Sequence, residues 1–423
     1  LLLRNFHECT MRNKLCAHVL SASLGTLIIL SHGFIAPARA DLLAGDFKFN
    51  SVFRFNDETG AEVPGGIAAG SAGLEATAGV AVGPDGNIYV SSQNTGEILF
   101  YDGETGAPLS SPLPGGRDGL FALLRTEDHP GGAPGPLRFG PDGNLYVSDF
   151  GGTTVRVFHG MTGVELPPAA SGFGPPGGLA FAPNGDLYVG NFGTSAIIRV
   201  RNGAQQTFIA SGTGPILTPS AMLLVPNGDM LVVSMFANEI HRYSASGAYL
   251  GLFAAIEPVP PPVDVTNYPS DIAFDADGNI VVAVLGATNP PDNRGQILRF
   301  ALNEGSVAGT LLDTLVDAYP PMGSIAWIRS PDAITGDFNN DGTVNSADLN
   351  KWRADYGKWV AKGGGADASG NGIVDSADYV VWRKAFGSGP PAGAANAVPE
   401  PGIAISALVT AMIIGSTWRM RFR

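Results

Sequence analysis

Five times between residues 83 and 282 the chain returns to one eight-residue phrase. It reads Gly83-Pro84-Asp85-Gly86-Asn87-Ile88-Tyr89-Val90, then Gly140-Pro141-Asp142-Gly143-Asn144-Leu145-Tyr146-Val147, then Ala182-Pro183-Asn184-Gly185-Asp186-Leu187-Tyr188-Val189. Looser copies are Val225-Pro226-Asn227-Gly228-Asp229-Met230-Leu231-Val232 and Asp275-Ala276-Asp277-Gly278-Asn279-Ile280-Val281-Val282. An apolar strand precedes each copy, such as Val80-Ala81-Val82. The Asp-Gly or Asn-Gly pair supplies the positive-φ residues of a tight hairpin, and a β-rich strand follows. A third strand comes after a few polar residues, at 98–101, 155–158, 197–200, 240–243 and 297–300. With a weaker fourth strand, such a unit returning every 42–57 residues is a β-propeller blade.

The ends of this region predict how the ring closes. Val52-Phe53-Arg54-Phe55 with Glu58-Thr59-Gly60-Ala61 matches the outer half of a blade (compare Glu104-Thr105-Gly106-Ala107). Ser324-Ile325-Ala326-Trp327-Ile328 matches an inner strand with no partner of its own. Joining the two gives a sixth blade drawn from both ends, which removes the exposed sheet edge; five and seven blades are the alternatives. Gly at 58, Pro at 32 and charged residues at 15% suit short strands and many turns, and 44% hydrophobic content excludes disorder. The region resembles NHL-repeat and gluconolactonase-like propellers through its Pro-Asp-Gly-Asn-Leu-Tyr-Val hairpin and third strand. That motif is structural and leaves the chemistry open.

The loops after the second strands carry Gln93-Asn94, Asp149-Phe150, Asn191-Phe192, Phe236-Ala237-Asn238 and Thr288-Asn289. In such propellers they line one mouth of the central channel. Asn94, Asp149, Asn191 and Asn238 are therefore the channel-mouth candidates. The resemblance to gluconolactonase-like lactonases implies a further divalent metal there, with Asp149 as the general-base candidate. The same residue types also cap turns by bonding to backbone. Phe150, Phe192 and Phe236 are candidates for a sugar-stacking mouth or for packing between blades. His129, His159 and His241 stand apart in sequence, and no HExxH, GxSxG or Walker loop occurs. The insert 113–136, with Arg117, Arg125, Glu127, Asp128 and His129, is long enough to overhang the channel.

Beyond the repeats two further segments match each other, Asp337-Phe338-Asn339-Asn340-Asp341-Gly342-Thr343-Val344-Asn345-Ser346-Ala347-Asp348 and Asp367-Ala368-Ser369-Gly370-Asn371-Gly372-Ile373-Val374-Asp375-Ser376-Ala377-Asp378. Oxygen donors at loop positions 1, 3, 5 and 12, with the position-7 carbonyl, suit Ca2+, and Gly at position 6 permits the sharp bend. The candidate ligands are Asp337, Asn339, Asp341, Thr343 and Asp348 in one loop. In the other they are Asp367, Ser369, Asn371, Ile373 and Asp378, a weaker donor set. Each loop runs into a helix with apolar residues at helical spacing: Leu349, Trp352 and Tyr356, then Tyr379, Trp382 and Phe386. The segment 336–387 resembles the type I dockerin, a duplicated loop-helix module. The resemblance implies two Ca2+ sites and docking to a cohesin-type partner. Its contact positions correspond here to Ser346, Ala347 and Arg353 and to Ser376, Ala377 and Arg383. The alternative is a module that binds Ca2+ for stability alone.

Met11 opens an export-type leader, with Arg12 and Lys14, an apolar run from 15 to 30, and Ala38-Arg39-Ala40 as the cleavage pattern. Both cysteines, Cys9 and Cys16, lie in this leader, so the mature chain is expected to have no thiol. The end reads Val398-Pro399-Glu400-Pro401, then an apolar run from 402 to 418, then Arg419, Arg421 and Arg423. It resembles the PEP-CTERM sorting signal, which implies an exosortase-type processing enzyme and contact with the membrane through this segment only. Without the two ends, 18 basic face 36 acidic side chains, a surface that repels nucleic acid and attracts hard cations.

The expected fold class is mainly β: a six-bladed β-propeller, a small α-helical dockerin-like calcium module, and a single C-terminal transmembrane sorting helix. The expected boundaries are 1–40 leader, 41–331 propeller, 332–388 calcium module, 389–397 linker and 398–423 sorting segment. The expected function is an exported surface or matrix protein whose propeller binds a glycan, protein or small molecule. The alternatives are a metal-dependent lactonase or polysaccharide-related hydrolase or lyase, and a passive matrix component.

Overall fold

The computed structural model describes residues 40–387 apart from 173, 258–266, 287–294, 304 and 330–332. The expected leader, linker and sorting segment, and the mouth residues Thr288-Asn289, lie outside the described residues. Among the described residues no helix is long and apolar enough to cross a membrane.

The chain opens with β1 (Ala40–Asp46) and β2 (Ser51–Asn56). Five antiparallel sheets of four strands follow. They are β3 (Thr77–Val82), β4 (Ile88–Ser92), β5 (Glu97–Tyr101) and β6 (Leu120–Leu123); then β7 (Pro134–Phe139), β8 (Leu145–Asp149), β9 (Thr154–Phe158) and β10 (Glu165–Ser171). Next come β11 (Pro176–Phe181), β12 (Leu187–Asn191), β13 (Ala196–Arg201) and β14 (Ala204–Ile209), then β15 (Pro219–Leu224), β16 (Met230–Ser234), β17 (Glu239–Tyr243) and β18 (Tyr249–Ala255). The fifth sheet holds β19 (Pro269–Phe274), β20 (Ile280–Val284), β21 (Gly295–Ala301) and β22 (Thr310–Tyr319), and β23 (Met322–Arg329) ends the β region. The first strands β3, β7, β11, β15, β19 and β23 touch one another in turn and return to β3. The fold is a six-bladed β-propeller.

Each hairpin is a knot of short-range bonds. Gly86 donates its N–H to Gly83 O (2.9 Å) and Gly83 donates to Asn87 O (2.9 Å), a three-residue loop. Gly86 has φ +81°, whereas Asp85 keeps ordinary backbone, so only the glycine of the pair takes the left-handed state. The aspartate contributes its side chain instead. Asp85 accepts the Asn87 N–H (3.1 Å), the Asn87 amide (2.8 Å) and the Tyr89 hydroxyl (2.9 Å). Asp142 repeats this with Asn144 and Tyr146. Each tyrosine then meets the next blade edge-on: Tyr89 on Phe139 and Tyr146 on Phe181, both with centroids 4.9 Å apart. Where the phrase reads Asn-Gly-Asp, the aspartate turns to an arginine of the third strand, Asp186 to Arg201 and Asp229 to Arg242. The repeated phrase thus fixes the hairpin, and in its first two copies also the seam to the next blade, whereas Tyr188 packs on Phe208 of its own blade.

The closing blade runs β23-β1-β2. Isolated bridges Phe55↔Glu62 and Val52↔Ile67 add a fourth, outer segment. Asn56 caps the outer turn by accepting the N–H groups of Glu58 and Thr59, as Asp102 does for Glu104 and Thr105. This is the expected closure, with one addition: β1 supplies the second strand, pairing Leu42 with Trp327 and Leu43 with Arg54. Leu42, Leu43 and Ala44 have no exposed surface. The segment 40–46 lacks the hairpin phrase because its inner neighbour comes from the other end of the chain.

Beyond β23 lie two helices, α1 (Ser346–Asp355) and α2 (Ser376–Ala385), around a small core of Phe338, Val344, Val360, Val374 and Trp382.

Candidate functional site

Both helices start with the same device. Asn345 and Asp375 accept the N–H of Ala347 and Ala377 at 2.7 Å. Asp348 and Asp378 reach back to the N–H of Asn345 and Asp375, also at 2.7 Å. Each is a capping box. The second oxygen of Asp348 accepts Phe338 N–H (2.8 Å) and that of Asp378 accepts Ser369 N–H (2.8 Å). At the loop starts, Asp337 accepts Asp341 and Gly342 N–H (3.0 and 2.7 Å). Asp367 accepts Asn371 and Gly372 N–H (3.1 and 2.6 Å). All four aspartates are buried, and Gly342 and Gly372 share φ +86°. The two copies also exchange bonds: Trp352 Nε1 donates to Asp375 O (2.8 Å) and Trp382 Nε1 to Asn345 O (3.1 Å).

Burial holds the carboxyl of Asp337 above the ordinary carboxylate range, and the charges of Asp348 and Asp341 push it the same way. Asp378 is raised by burial and by Asp367. Buried carboxylates in an oxygen-rich loop are donor types that a hard dication such as Ca2+ uses. Among the described residues no group of three or more His, Cys, Asp or Glu closes on a metal-sized point; the aspartate oxygens face backbone N–H groups. Asn339, Asp341, Thr343, Ser369 and Asn371 lie on the exposed rim, and Ile373 is half-buried. Ser346, Ala347, Arg353, Ser376, Ala377 and Arg383 are all exposed on the two helices.

Of the channel-mouth candidates, Asp149 ends β8 and is fully buried. Its Oδ1 accepts the N–H of Ala133 and Gly151 (3.1 Å each), and Oδ2 lies 2.7 Å from His129 Nε2. The His129 side chain is 39% exposed, so the imidazole, rather than the carboxylate, reaches solvent. Thr126 and His129 exchange backbone bonds at 3.1 and 3.2 Å, which closes a tight turn in the 113–136 insert. Asn191 is buried, accepts Thr194 N–H (3.2 Å), and lines an open groove of about 790 Å³ with Ser171, Thr194, Ile198 and Gln206. Asn238 ends a 3-10 turn at φ 58°, and its buried Oδ1 has no hydrogen-bond partner. Asn94 is exposed, and its carbonyl accepts Arg125 Nη1 (2.6 Å). Among the described residues no hydrogen bond joins any two of these four. Phe150 and Phe192 stack at 5.3 Å, and Phe236 leans on Tyr268 at 5.4 Å.

Inside the ring, small residues such as Gly79, Gly178 and Ala221 let the first strands approach closely. Across it, Arg138 of β7 donates to Asp271 of β19, three blades away, at 2.7 Å. Asp271 also accepts Ser324 Oγ and Ile325 N–H, both at 3.0 Å. Nothing in the 134–139 sequence announces this pairing, since its partner lies in a distant blade.

No family model matches the chain, and no curated protein matches it. Many solved structures do. A protein of unknown function from Bacteroides caccae shares 17% identity over 69% of this chain and 100% of its own, with a TM-score of 0.50. A chain of the nidogen/laminin complex shares 13% identity over 69% and 99%, with a TM-score of 0.49. The periplasmic gluconolactonase of Pseudomonas aeruginosa shares 15% identity over 65% and 82%, with a TM-score of 0.45. Likeness at this level of identity speaks for the fold alone.

Proposed function

We propose that this is an exported surface or matrix protein whose propeller binds a ligand and whose loop–helix pair takes up two Ca2+ and docks, as dockerins do, to a cohesin-type partner. The observation that carries this reading is the duplicated loop with buried aspartates at positions 1 and 12 in both copies. Asp337, Asn339, Asp341, the Thr343 carbonyl and Asp348 would hold one ion. Asp367, Ser369, Asn371, the Ile373 carbonyl and Asp378 would hold the second. The ion supplies the positive charge that these carboxylates lack, and helix order follows from loop order. The exposed Ser346, Ala347 and Arg353, with Ser376, Ala377 and Arg383, would form the partner-binding faces. Export, processing by an exosortase-type enzyme, and a final place at the cell surface or in the matrix belong to the same proposal.

Calorimetric titration of the full chain with CaCl2 tests it. Two sites are expected, with Asp348→Asn and Asp378→Asn each removing one, and binding to an immobilised cohesin-type module lost in the double variant. Heat-silent titration with circular dichroism unchanged by chelator would overturn the calcium reading.

A second reading rests on His129 and Asp149. A buried carboxylate that orients a solvent-accessible imidazole is the arrangement of a general acid–base pair, and it favours a hydrolase or lyase acting at the mouth. In that case His129→Ala would abolish turnover of a lactone or polysaccharide substrate, while His129→Ala with unchanged turnover would remove the reading.

A further inference from the structure

The segment between the two loops is wedged into the propeller. Ala361 donates its N–H to Asp275 O in the fifth hairpin at 2.9 Å, and its side chain is buried beside Leu42, Ala44 and Val281. Trp359 meets Phe274 edge-on, with centroids 6.4 Å apart. A Cβ on Gly364 would lie 3.1 Å from Ala276 Cα, and one on Gly278 would lie 2.8 Å from Trp359 O. A small polar cavity of about 30 Å³ between hairpin and loops is lined by Asp277, Lys351, Asp337 and Asp367.

The hairpin itself is modified at this place. The other four copies carry Pro84, Pro141, Pro183 and Pro226 where this one has Ala276. The residue before it is Asp275, whose carboxylate holds the turn through Asp277 N–H (2.9 Å), Asn279 N–H (2.8 Å) and the Asn279 amide (2.9 Å). The smaller side chain leaves room for Gly364 and Gly365. The wedge is in turn tied to the second loop, because Val360 N–H bonds to Gly372 O (3.0 Å) and Gly363 N–H to Asp367 Oδ2 (3.0 Å).

We propose that the 359–365 wedge couples calcium loading of the loop pair to the fifth and closing blades, so that the metal clamps the ring. Asp367 is shared by the ion site and the wedge through Gly363, and Ala361 reaches the core that β1 and β23 build. The hairpin that receives the wedge precedes the start of β20, whereas the channel-mouth candidates Asp149 and Asn191 end β8 and β12, so the two fall at opposite ends of the second strands. A ligand at that mouth and a partner on the helices can therefore be held together. This coupling rests on the calcium reading above.

Peptide-resolved hydrogen exchange of the full chain, with CaCl2 or chelator, separates the two. In the wild-type chain calcium is expected to slow exchange at least ten-fold in 337–387 and also in peptides covering 274–284 and 322–329. Trp359→Ala and the steric variant Gly364→Val, neither of which alters an ion ligand, should keep the first effect and lose the second. Protection confined to 337–387 in the wild type, with calcium uptake confirmed by calorimetry, overturns the coupling and spares the calcium reading. Absence of uptake in the wild type overturns both.

Discussion

At the scale of single residues, Arg138 and Asp271 make the sharpest demand. Removing one member of a shielded pair strands the other, which costs about 3–5 kcal/mol where burial is complete. Asp271 is 4% exposed and would leave Arg138 without its counter-charge. Asp271→Ala is therefore expected to cost about 3 kcal/mol by urea unfolding. Arg138→Met should cost at least as much, because it strands the more deeply buried charge of Asp271, which the bonds from Ser324 and Ile325 offset only in part. His241 is the second case. Burial pushes its imidazole below the ordinary histidine value, with the Glu239 charge acting in the opposite direction. A base depressed in the folded state leaves the native chain uncharged while the unfolded chain takes up a proton. Its contribution is complete above the ordinary imidazole range and is lost as pH falls through it. His241→Phe should therefore show a smaller loss of thermal stability between pH 7.5 and pH 5 than the wild type. Neither feature was legible in the sequence, because both depend on partners that only the tertiary fold brings near. The hairpin glycines were legible; the aspartates were read as positive-φ residues, although their side-chain partners lie only two and four residues away.

At the scale of elements, what could be read depended on whether a strand's partners are its chain neighbours. The hairpin phrase marks β3–β4, β7–β8, β11–β12, β15–β16 and β19–β20, and these pairs stand as expected. β1 escaped because its inner partner is β23, at the far end of the region. The paired loop-helix repeat was legible as a repeat, while the Trp352 and Trp382 exchange across the copies was not. Central placement makes β1 costly to weaken. Leu42→Ala should destabilise the ring by about 2–5 kcal/mol, as large-to-small changes in a core do, checked by the urea midpoint. An equivalent change at the exposed Leu311 of β22, 54% accessible, should move it little.

At the scale of the whole molecule, six blade seams, each an apolar cluster shared by neighbours, form a ring that is only as secure as its weakest seam. The seam that matters most is the one made by β1 and β23, whose paired ends are residues 40 and 329. A chain delivered from its N-terminus, whether by synthesis or by passage through a pore, presents β1 first and must keep it waiting until β23 arrives. Every blade between them can assemble locally, but circular integrity comes last, and the entropy of that distant joining is met in one late step. Until then the molecule is an open arc with two raw margins. That order makes β23 the latch of the ring.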